Sequence, residues 1–204
     1  MSYDVGDDRF FEVVRRQRAH RSFSSEPLHD DVIARLLQAA TCAPSAENRQ
    51  PWVFVVVREP ELRQAICGIY LRAWEGGARA ISTKRLDQGL LKQVDEGARG
   101  GLASAPVIVV VCGDSQRGNP RALAASVYPA VQNLLLAATA CGLGSALTTL
   151  AVNEPGGIAR ILRLPDHVLP MVVVPIGRPS RTLGPSRREP FESKTYRDTF
   201  GEPW

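Results

Sequence analysis

The sequence has 204 residues, which is enough for one sizeable hydrophobic core but short for two domains, so a single domain over residues 1–204 is predicted. Its composition, with 44% hydrophobic and 23% charged residues, is typical of a globular protein. The net charge of +4 comes without a long basic run, an interleaved aromatic–basic stripe or a Cys/His metal spacing. The usual signatures of nucleic-acid-binding and metal-binding proteins are thus missing from the sequence, and no nucleic-acid partner is expected.

The N-terminus, one apolar stretch and the cysteines bear on the compartment. The N-terminal residues are acidic and lack an apolar core, so they do not resemble a signal peptide. The apolar stretch at 122–140 is mostly alanine and contains Pro129, Gln132 and Asn133, which argues against a membrane span. The four cysteines, none in CxxC spacing, are expected to be buried free thiols. A cytoplasmic protein with no membrane partner is predicted.

Two helices are predicted near the N-terminus. Residues 8–18 combine apolar positions with the arginines that follow them, and a polar, non-helical segment separates this helix from the next. The second helix is capped by His29 or Asp30 and stops at Pro44, because proline cannot continue it. Its apolar residues recur at helical spacing, so one face should lie in the core.

Three apolar segments predict the strands of a sheet. They are Trp52–Val57, Val107–Cys112 and Leu169–Ile176. The first two show no polar–apolar alternation, which predicts strands covered on both faces. A shorter strand or extended segment is predicted at 146–152. With helices on either side, the sheet indicates a three-layer domain.

The remaining segments are predicted to be helical. A helix starts at Pro60, and residues 74–104, rich in charge and glycine, are interpreted as a helical, mobile excursion and candidate lid. The central helix is expected over Tyr128–Cys141, because proline is best tolerated in a first helical turn. Asn153 is expected to cap the next helix.

The sequence does not point to acid–base or nucleophilic catalysis by side chains. There is no Gly-rich nucleotide motif after a strand, and the three histidines do not fit a Ser-His-Asp arrangement. His20 is expected to have a solvated or structural role. An enzyme with such a sequence would need a cofactor that carries the chemistry.

Two features are candidates for binding a ligand. The joint Ala43–Trp52, between the second helix and the first strand, contains Ser45 and Asn48 and can leave backbone amides facing a planar polar ligand; the alternative is an ordinary connector. Arginines cluster near both ends of the chain, where they either form solvated faces or converge on one small anion. They are Arg15, Arg16, Arg18 and Arg21, then Arg178, Arg181, Arg187 and Arg188.

Four blocks of the sequence carry a resemblance to a known family. They are Arg18–Phe23, Ala43–Trp52, Ala130–Ala138 with Gly142–Gly144, and Gly177–Pro179 with Arg187–Pro190. In this order they resemble the nitroreductase family of FMN-dependent oxidoreductases. The resemblance implies an α+β, three-layer nitroreductase-like fold with a central, mostly antiparallel sheet flanked by helices. It also implies an intertwined homodimer with FMN at the subunit interface.

The same resemblance implies a set of FMN-binding residues and no catalytic side chain. The phosphate is expected to bind Arg18, the backbone of Ala19, Arg21 and Arg188. The ring and ribityl chain are expected to contact Pro44, Ser45 and Asn48. The segment of Leu147, Thr148 and Thr149 is expected to pass the ring edge near N5. A guanidinium suits a phosphate because it forms paired, charge-assisted hydrogen bonds. Many family members have a basic residue in place of Gln17 and serine in place of Ala19, so Arg187 is a candidate to supplement phosphate binding.

The function that the resemblance implies is oxidoreduction. FMN would take electrons from NADH or NADPH at its N5 and pass them to a nitro-aromatic, a quinone or a similar small acceptor. Two alternatives remain: a specialised flavin enzyme of the same fold, for flavin fragmentation or reductive dehalogenation, and a non-enzymatic flavin-binding module. Dedicated polar ligands from residues 74–104 would favour the specialised enzyme. The tail after Gly177, which ends with Phe200 and Trp204, is expected to lie on a surface or on the partner subunit; a disordered tail is the alternative.

Overall fold

The computed structural model of the chain describes residues 8–184 and 186–204. Seven α-helices and four strands form this described part. In chain order they are α1 (Asp8–Arg16), α2 (Asp30–Thr41), β1 (Trp52–Val57), α3 (Pro60–Ala73), α4 (Arg79–Thr83), α5 (Gln88–Glu96), β2 (Val107–Asp114), α6 (Leu123–Ala140), β3 (Gly144–Ser145), α7 (Gly157–Leu162) and β4 (Val168–Gly177).

The strands form one antiparallel sheet in the order β1-β2-β4-β3. Val110 at the middle of β2 pairs with Val55 of β1 on one side and with Val173 of β4 on the other. β2 is therefore an interior strand, and its residues from Val107 to Gly113 are all buried. The predicted antiparallel sheet and α+β class are confirmed.

Two hydrophobic clusters lie on opposite faces of this sheet. Ile108 and Val110 belong to the cluster that includes residues of α3, α5 and α7, whereas Val107 and Val109 belong to the cluster that includes residues of α2 and α6. Successive side chains of a strand point to opposite faces, so a strand between two cores must be apolar at every position. The domain thus has three layers, as predicted, and β2 is the centre of both cores.

β1 is covered on both faces, as predicted, but less completely than β2: Val53 and Val55 pack against the cluster of Ile108, and Trp52 and Phe54 pack against the cluster of Val107. β1 lies at the edge of the sheet, where it pairs with β2 alone. Val57 is its only buried residue, and Val56 is 36% exposed. A continuous apolar sequence therefore did not distinguish an edge strand from an interior one, because the distinction depends on the strands that pair with it.

The central helix also differs from its prediction, because α6 begins at Leu123 and carries Pro129 in its interior. Proline costs the helix one hydrogen bond. Val127, Val131 and Leu134 flank this position and are fully buried against α2 and the sheet, which offsets that loss. In the described part of the chain, α6 alone is long and apolar enough to cross a membrane, but its buried side chains make it the core helix of this domain.

Residues 146–153 are less regular than predicted. β3 covers only Gly144–Ser145, and Thr148 then makes an isolated antiparallel bridge with Val173. α7 does not follow Asn153, which belongs to a short 3-10 turn; it begins after Gly156, whose φ of 66° interrupts any helix from Asn153.

The prediction of buried cysteines holds for only part of the set. Cys112 is buried, Cys67 is half-buried, and Cys42 and Cys141 are exposed. Burial raises the pKa of the Cys112 thiol to about 12 and that of Cys67 to about 11. The exposed pair immediately follow the last residues of α2 and α6, and a helical pattern alone does not tell whether such an end is covered.

Residues 74–104 are helical, as predicted, and are anchored to the core. Trp74 and Val94 are buried in the same cluster as Ile108. Asp95 accepts hydrogen bonds from Trp74 Nε1 at 2.9 Å and from Arg79 Nε and Nη2 at 2.8 and 3.0 Å. The bonds from Arg79 and Trp74 lower the pKa of Asp95 to about 2. We call this group the Asp95 clamp; it ties α4 and α5 together, so this segment is a packed wall, and its mobility stays a prediction.

Two glycines let this wall approach Arg21 closely. A Cβ on Gly97 would lie 2.9 Å from Arg21 Cβ, and one on Gly101 would lie 2.2 Å from the Arg21 carbonyl oxygen and 2.9 Å from that of Glu96. Both obstacles at Gly101 are backbone atoms, which cannot rotate away. The contact between this wall and the Arg21 segment therefore requires glycine.

We expect Gly101→Ala to lower the free energy of unfolding by about 1–3 kcal/mol, because the added methyl group must push two backbone segments apart. The measurement is denaturant unfolding followed by circular dichroism. Gly76→Ala is the matched control, since a Cβ there meets nothing within 4 Å. It should leave stability unchanged or raise it by up to about 1 kcal/mol. Equal effects of the two substitutions would show that the close approach is not a constraint.

Candidate functional site

The candidate site is built on the extended segment that follows α1. Ala19 bridges Ser145 in parallel, and the N–H of His20 donates to the Ser145 carbonyl at 2.9 Å. His20 lies over Gly144, where a Cβ would come within 2.9 Å of the histidine side chain. These contacts fix this segment, including Arg18 and Arg21, beside the short strand β3.

The beginning of the C-terminal tail pairs with the same segment. The N–H of Ser24 donates to the Arg178 carbonyl at 2.9 Å, and that of Ser180 donates to the Ser22 carbonyl at 3.1 Å. The side chain of Arg18 donates to the carbonyl of Gly184. The two ends of the chain, each with its arginine cluster, are therefore brought together.

A cavity of about 330 Å³ opens beside these two segments. We call it the arginine cavity, because three guanidinium groups line it. Its lining residues are Gln17, Arg18, Ala19, Arg21, Leu90, Gln93, Leu135, Leu147 and Arg188. Five of the ten residues predicted to bind a cofactor are among them, from three separate parts of the sequence.

Three guanidinium groups bring positive charge together in this cavity. Arg21 donates to the Ala19 carbonyl at 3.2 Å and Arg188 to the Arg187 carbonyl at 2.9 Å, and neither forms an ion pair with a carboxylate within the described residues. Burial lowers the pKa of Arg21; Tyr70 partly opposes this effect, and the nearby charge of Arg18 adds to it. Such a site favours a bound anion, and guanidinium groups match a phosphate.

The positive charge of the nearby arginines also affects the pKa of His20. Its pKa is lowered by burial and then by the positive charges of Arg18, Arg181 and Arg21. Arg181, at the start of the tail, also lies 3.8 Å from the carboxylate of Glu96. His20 packs on Gly144 and does not line the cavity, which agrees with the structural role expected for it.

Of the predicted residues Leu147, Thr148 and Thr149, only Leu147 is among the residues that line the cavity. Leu147 lines it directly and is 41% exposed. The N–H of Thr148 donates to the Val173 carbonyl at 3.0 Å, so this amide is occupied by the sheet. No acceptor for the N–H of Leu147 or Thr149 is found among the described residues. These two amides can therefore donate to a ligand.

The joint after α2 has an unusual backbone. Glu47, Asn48 and Gln50 have positive φ angles of 54°, 53° and 49°, which non-glycine residues seldom adopt. Side-chain hydrogen bonds hold this conformation: Ser45 Oγ accepts from the N–H of Gln50 at 3.0 Å, and Gln50 Nε2 donates to Asn48 Oδ1 at 3.2 Å. This strained turn differs from the ordinary connector that was its alternative interpretation.

The joint does not meet the arginine cavity within one chain. The N–H of Ala46 donates to Ser126 Oγ near the start of α6, whereas Leu135 of the same helix lines the arginine cavity. Nine residues of helix separate them, or about 14 Å. Pro44, Ser45 and Asn48 therefore do not contribute to the cavity that holds the predicted phosphate ligands.

The sequence analysis missed three residues of the lining: Leu90, Gln93 and Leu135. Leu90 and Gln93 lie on the face of α5 that continues to Gly97 and Gly101. Their helical spacing with Gly97 and Gly101 is visible in the sequence and indicates one face with two small residues. The segment that this face contacts could not be inferred from the sequence.

The lining limits the chemistry of the cavity. Its side chains are guanidinium, carboxamide and aliphatic groups, and no carboxylate, thiol or imidazole is among the described residues that line it. The described lining residues can bind and orient an anionic ligand, and none of them is a nucleophile or general base at neutral pH.

Comparison with known proteins shows which proteins the chain resembles. The family model described as the Nitroreductase family matches residues 14–178. A Methanothermobacter thermautotrophicus protein named NADH dehydrogenase/NAD(P)H nitroreductase is 30% identical over 176 residues, which are 85% of this chain and 78% of that protein. Iodotyrosine deiodinase 1 of Rattus norvegicus is 31% identical over 179 residues, 84% of this chain but only 62% of that protein.

The fold is also found in solved structures. A structure described as a nitroreductase in complex with FMN, from Desulfovibrio desulfuricans, superposes with a TM-score of 0.69 at 24% identity and covers 96% of this chain and 99% of that one. The family match spans both cores, the joint after α2 and the arginine segment. The chain belongs to the nitroreductase family.

Proposed function

We propose that this protein is an FMN-dependent oxidoreductase of the cytoplasm that passes electrons from NADH or NADPH to a nitro-aromatic, a quinone or a similar small acceptor. The observation that carries the proposal is the arginine cavity, whose three guanidinium groups suit the phosphate of FMN. The name of the Methanothermobacter relative and the FMN in the Desulfovibrio structure support it.

The residues of the arginine cavity fit FMN by their chemistry. Arg18, Arg21 and Arg188 would hold the phosphate, because each offers guanidinium N–H donors to the phosphate oxygens. Leu147 and Thr149 would direct their amide N–H groups to the edge of the flavin ring. When bound, FMN accepts a hydride from a reduced nicotinamide and delivers electrons to the acceptor. The chain itself orients the ligand and excludes water.

The site is proposed to be complete only in a homodimer. The joint residues Pro44, Ser45 and Asn48 would then reach the ring and ribityl chain of FMN held by the arginine cavity of the partner. The separation along α6 supports this arrangement, since one chain does not bring the joint to its own cavity.

Exposed apolar side chains support the same dimer. Phe10 on α1 is 60% exposed, and Phe200 and Trp204 in the tail are 89% and 62% exposed. In the tail, Phe200 packs on Tyr196 with ring centroids 4.5 Å apart, and Arg197 lies 5.9 Å above the Trp204 ring. Such aromatic surface is typical of a subunit interface.

Reductive dehalogenation is the second candidate, because the chain resembles the rat iodotyrosine deiodinase. Residues 74–104 were expected to distinguish the two functions by their ligands. From this segment, only Leu90 and Gln93 line the described cavity, and neither carries a charge. No residue of this segment that lines the described cavity therefore offers a charge to pair with the two charged groups of an amino-acid substrate.

The first prediction of this proposal concerns the purified protein. It should be yellow, with absorbance bands of bound flavin near ~375 and ~450 nm, and it should oxidise NADH or NADPH with a quinone as acceptor. No flavin bands after addition of FMN would refute the proposal. Bound FMN without turnover of either nicotinamide would identify a flavin-binding module, and turnover of a halotyrosine alone would identify a dehalogenase.

A second prediction tests the phosphate ligands. Arg18→Ala, Arg21→Ala and Arg188→Ala should each weaken FMN binding by about 1.5–3 kcal/mol, the scale of a hydrogen bond to a charged group. The measurement is a fluorescence titration with FMN, alongside thermal unfolding. Arg160→Ala is the control, because Arg160 lies on α7 and donates to the Gly156 carbonyl outside the cavity. Unchanged affinity in all three variants would remove them from the site.

A third prediction tests the dimer. The full chain should sediment as a homodimer, and a chain truncated after Gly184 should lose FMN affinity, since it lacks Arg188 and the aromatic tail. An obligate interface usually buries more than about 2,000 Å². A full-length monomer that binds FMN would contradict the two-chain site. A truncated dimer that keeps its flavin would contradict the role of the tail.

A further inference from the structure

We propose that Gln93 is a further ligand residue of the arginine cavity, and that its carboxamide hydrogen-bonds the uncharged part of the bound flavin. This inference rests on the proposed function and assigns to α5 a direct role in it. Gln93 is half-buried and lines the same cavity as Arg18, Arg21 and Arg188.

The position of Gln93 follows from the packing of α5 on the arginine segment. Gly97 on the same helix touches the aliphatic part of Arg21, where even a Cβ would approach to 2.9 Å. Gln93 precedes Gly97 by four residues, or about 6 Å along the helix, and so lies on the same face. Leu90, one turn earlier, also lines the cavity. The face of α5 that meets Arg21 is therefore continuous with the face that meets the ligand.

Contacts on both ends of α5 hold Gln93 in place. Asp87 caps the helix, since its Oδ1 accepts from the N–H of Leu90 at 2.8 Å. The Asp95 clamp fixes the other end to Trp74 and Arg79, at distances of 2.8 to 3.0 Å. A side chain on a helix held in this way is already positioned before a ligand arrives, which lowers the entropic cost of the contact.

A flavin in this cavity requires hydrogen-bond acceptors, which a carboxamide can provide. Guanidinium groups donate hydrogen bonds but cannot accept them. The carbonyl of Ala19, a nearby acceptor, is already bonded to Arg21. The ribityl hydroxyls and the ring imide of a flavin carry O–H and N–H donors, which require acceptors. Two carboxamides line the cavity: that of Gln17, which directly follows α1, and that of Gln93 on α5.

The test compares Gln93→Leu with Gln88→Leu. Both positions are glutamines of α5, but Gln88 is exposed and does not line the cavity. Fluorescence titrations with FMN and with riboflavin, which lacks the phosphate, measure the two affinities in the full-length protein. Circular dichroism melting checks the fold of each variant. Gln93→Ala, which keeps a good helix former, serves if the leucine variant unfolds.

We expect Gln93→Leu to raise the Kd of both flavins by roughly 3- to 10-fold, the scale of one hydrogen bond, and Gln88→Leu to raise neither. Arg188→Ala should weaken the binding of FMN far more than that of riboflavin, which separates the phosphate ligand from the ligand of the uncharged part.

Wild-type affinities in Gln93→Leu would overturn this inference and leave the proposed function standing. A loss confined to FMN would also overturn it, because Gln93 would then contact the phosphate. Failure of the wild-type protein to bind either flavin would instead refute the proposed function.

Discussion

The extended segment 19–24 is the constraint on which the site depends. It contacts three parts of the chain at backbone distance: β3 through Ser145, the start of the tail through Ser180, and the wall of residues 74–104 through Gly101. Each contact uses main-chain groups or positions where only glycine fits, so none can be shifted by a side-chain rotation. These contacts hold the segment beside the start of the tail, and they thereby bring the arginines of the two ends of the chain together.

This arrangement concentrates positive charge. The resulting repulsion lowers the stability of the fold, and the two hydrophobic cores must offset that loss. The guanidinium groups repel one another, and after burial, which is the larger cause, their positive charges lower the pKa of His20. A fold gains stability elsewhere, here through a strand buried on both faces and a core helix that retains Pro129 in its interior. A bound anion would relieve the repulsion, and any ligand that binds only the folded chain stabilises it. The same positive charges therefore lower the stability of the empty fold and give the cavity its affinity for an anion.

The strained joint after α2 has a similar character. Three residues of positive φ are held by side-chain hydrogen bonds, and the N–H of Ala46 is anchored to Ser126 of the core helix. Strain of this kind persists where surrounding structure enforces it, and it commonly marks functional positions. In the proposed homodimer, this joint would face the arginine cavity of the partner, since it lies apart from the cavity of its own chain.

The order of helices and strands, the continuous apolar sequence of β2 and the small, polar joint were determined by the sequence itself, because they follow from local periodicity and turn chemistry. The motifs also determined the family, and they located Arg18, Arg21 and Arg188 before any contact between them was known. Tertiary structure decided the rest, because burial depends on neighbours that are remote in sequence. The edge position of β1 depends on its partner strands, the proline inside α6 is tolerated only because the core surrounds it, and Gln93 meets the arginines only because Gly97 and Gly101 let two distant segments touch.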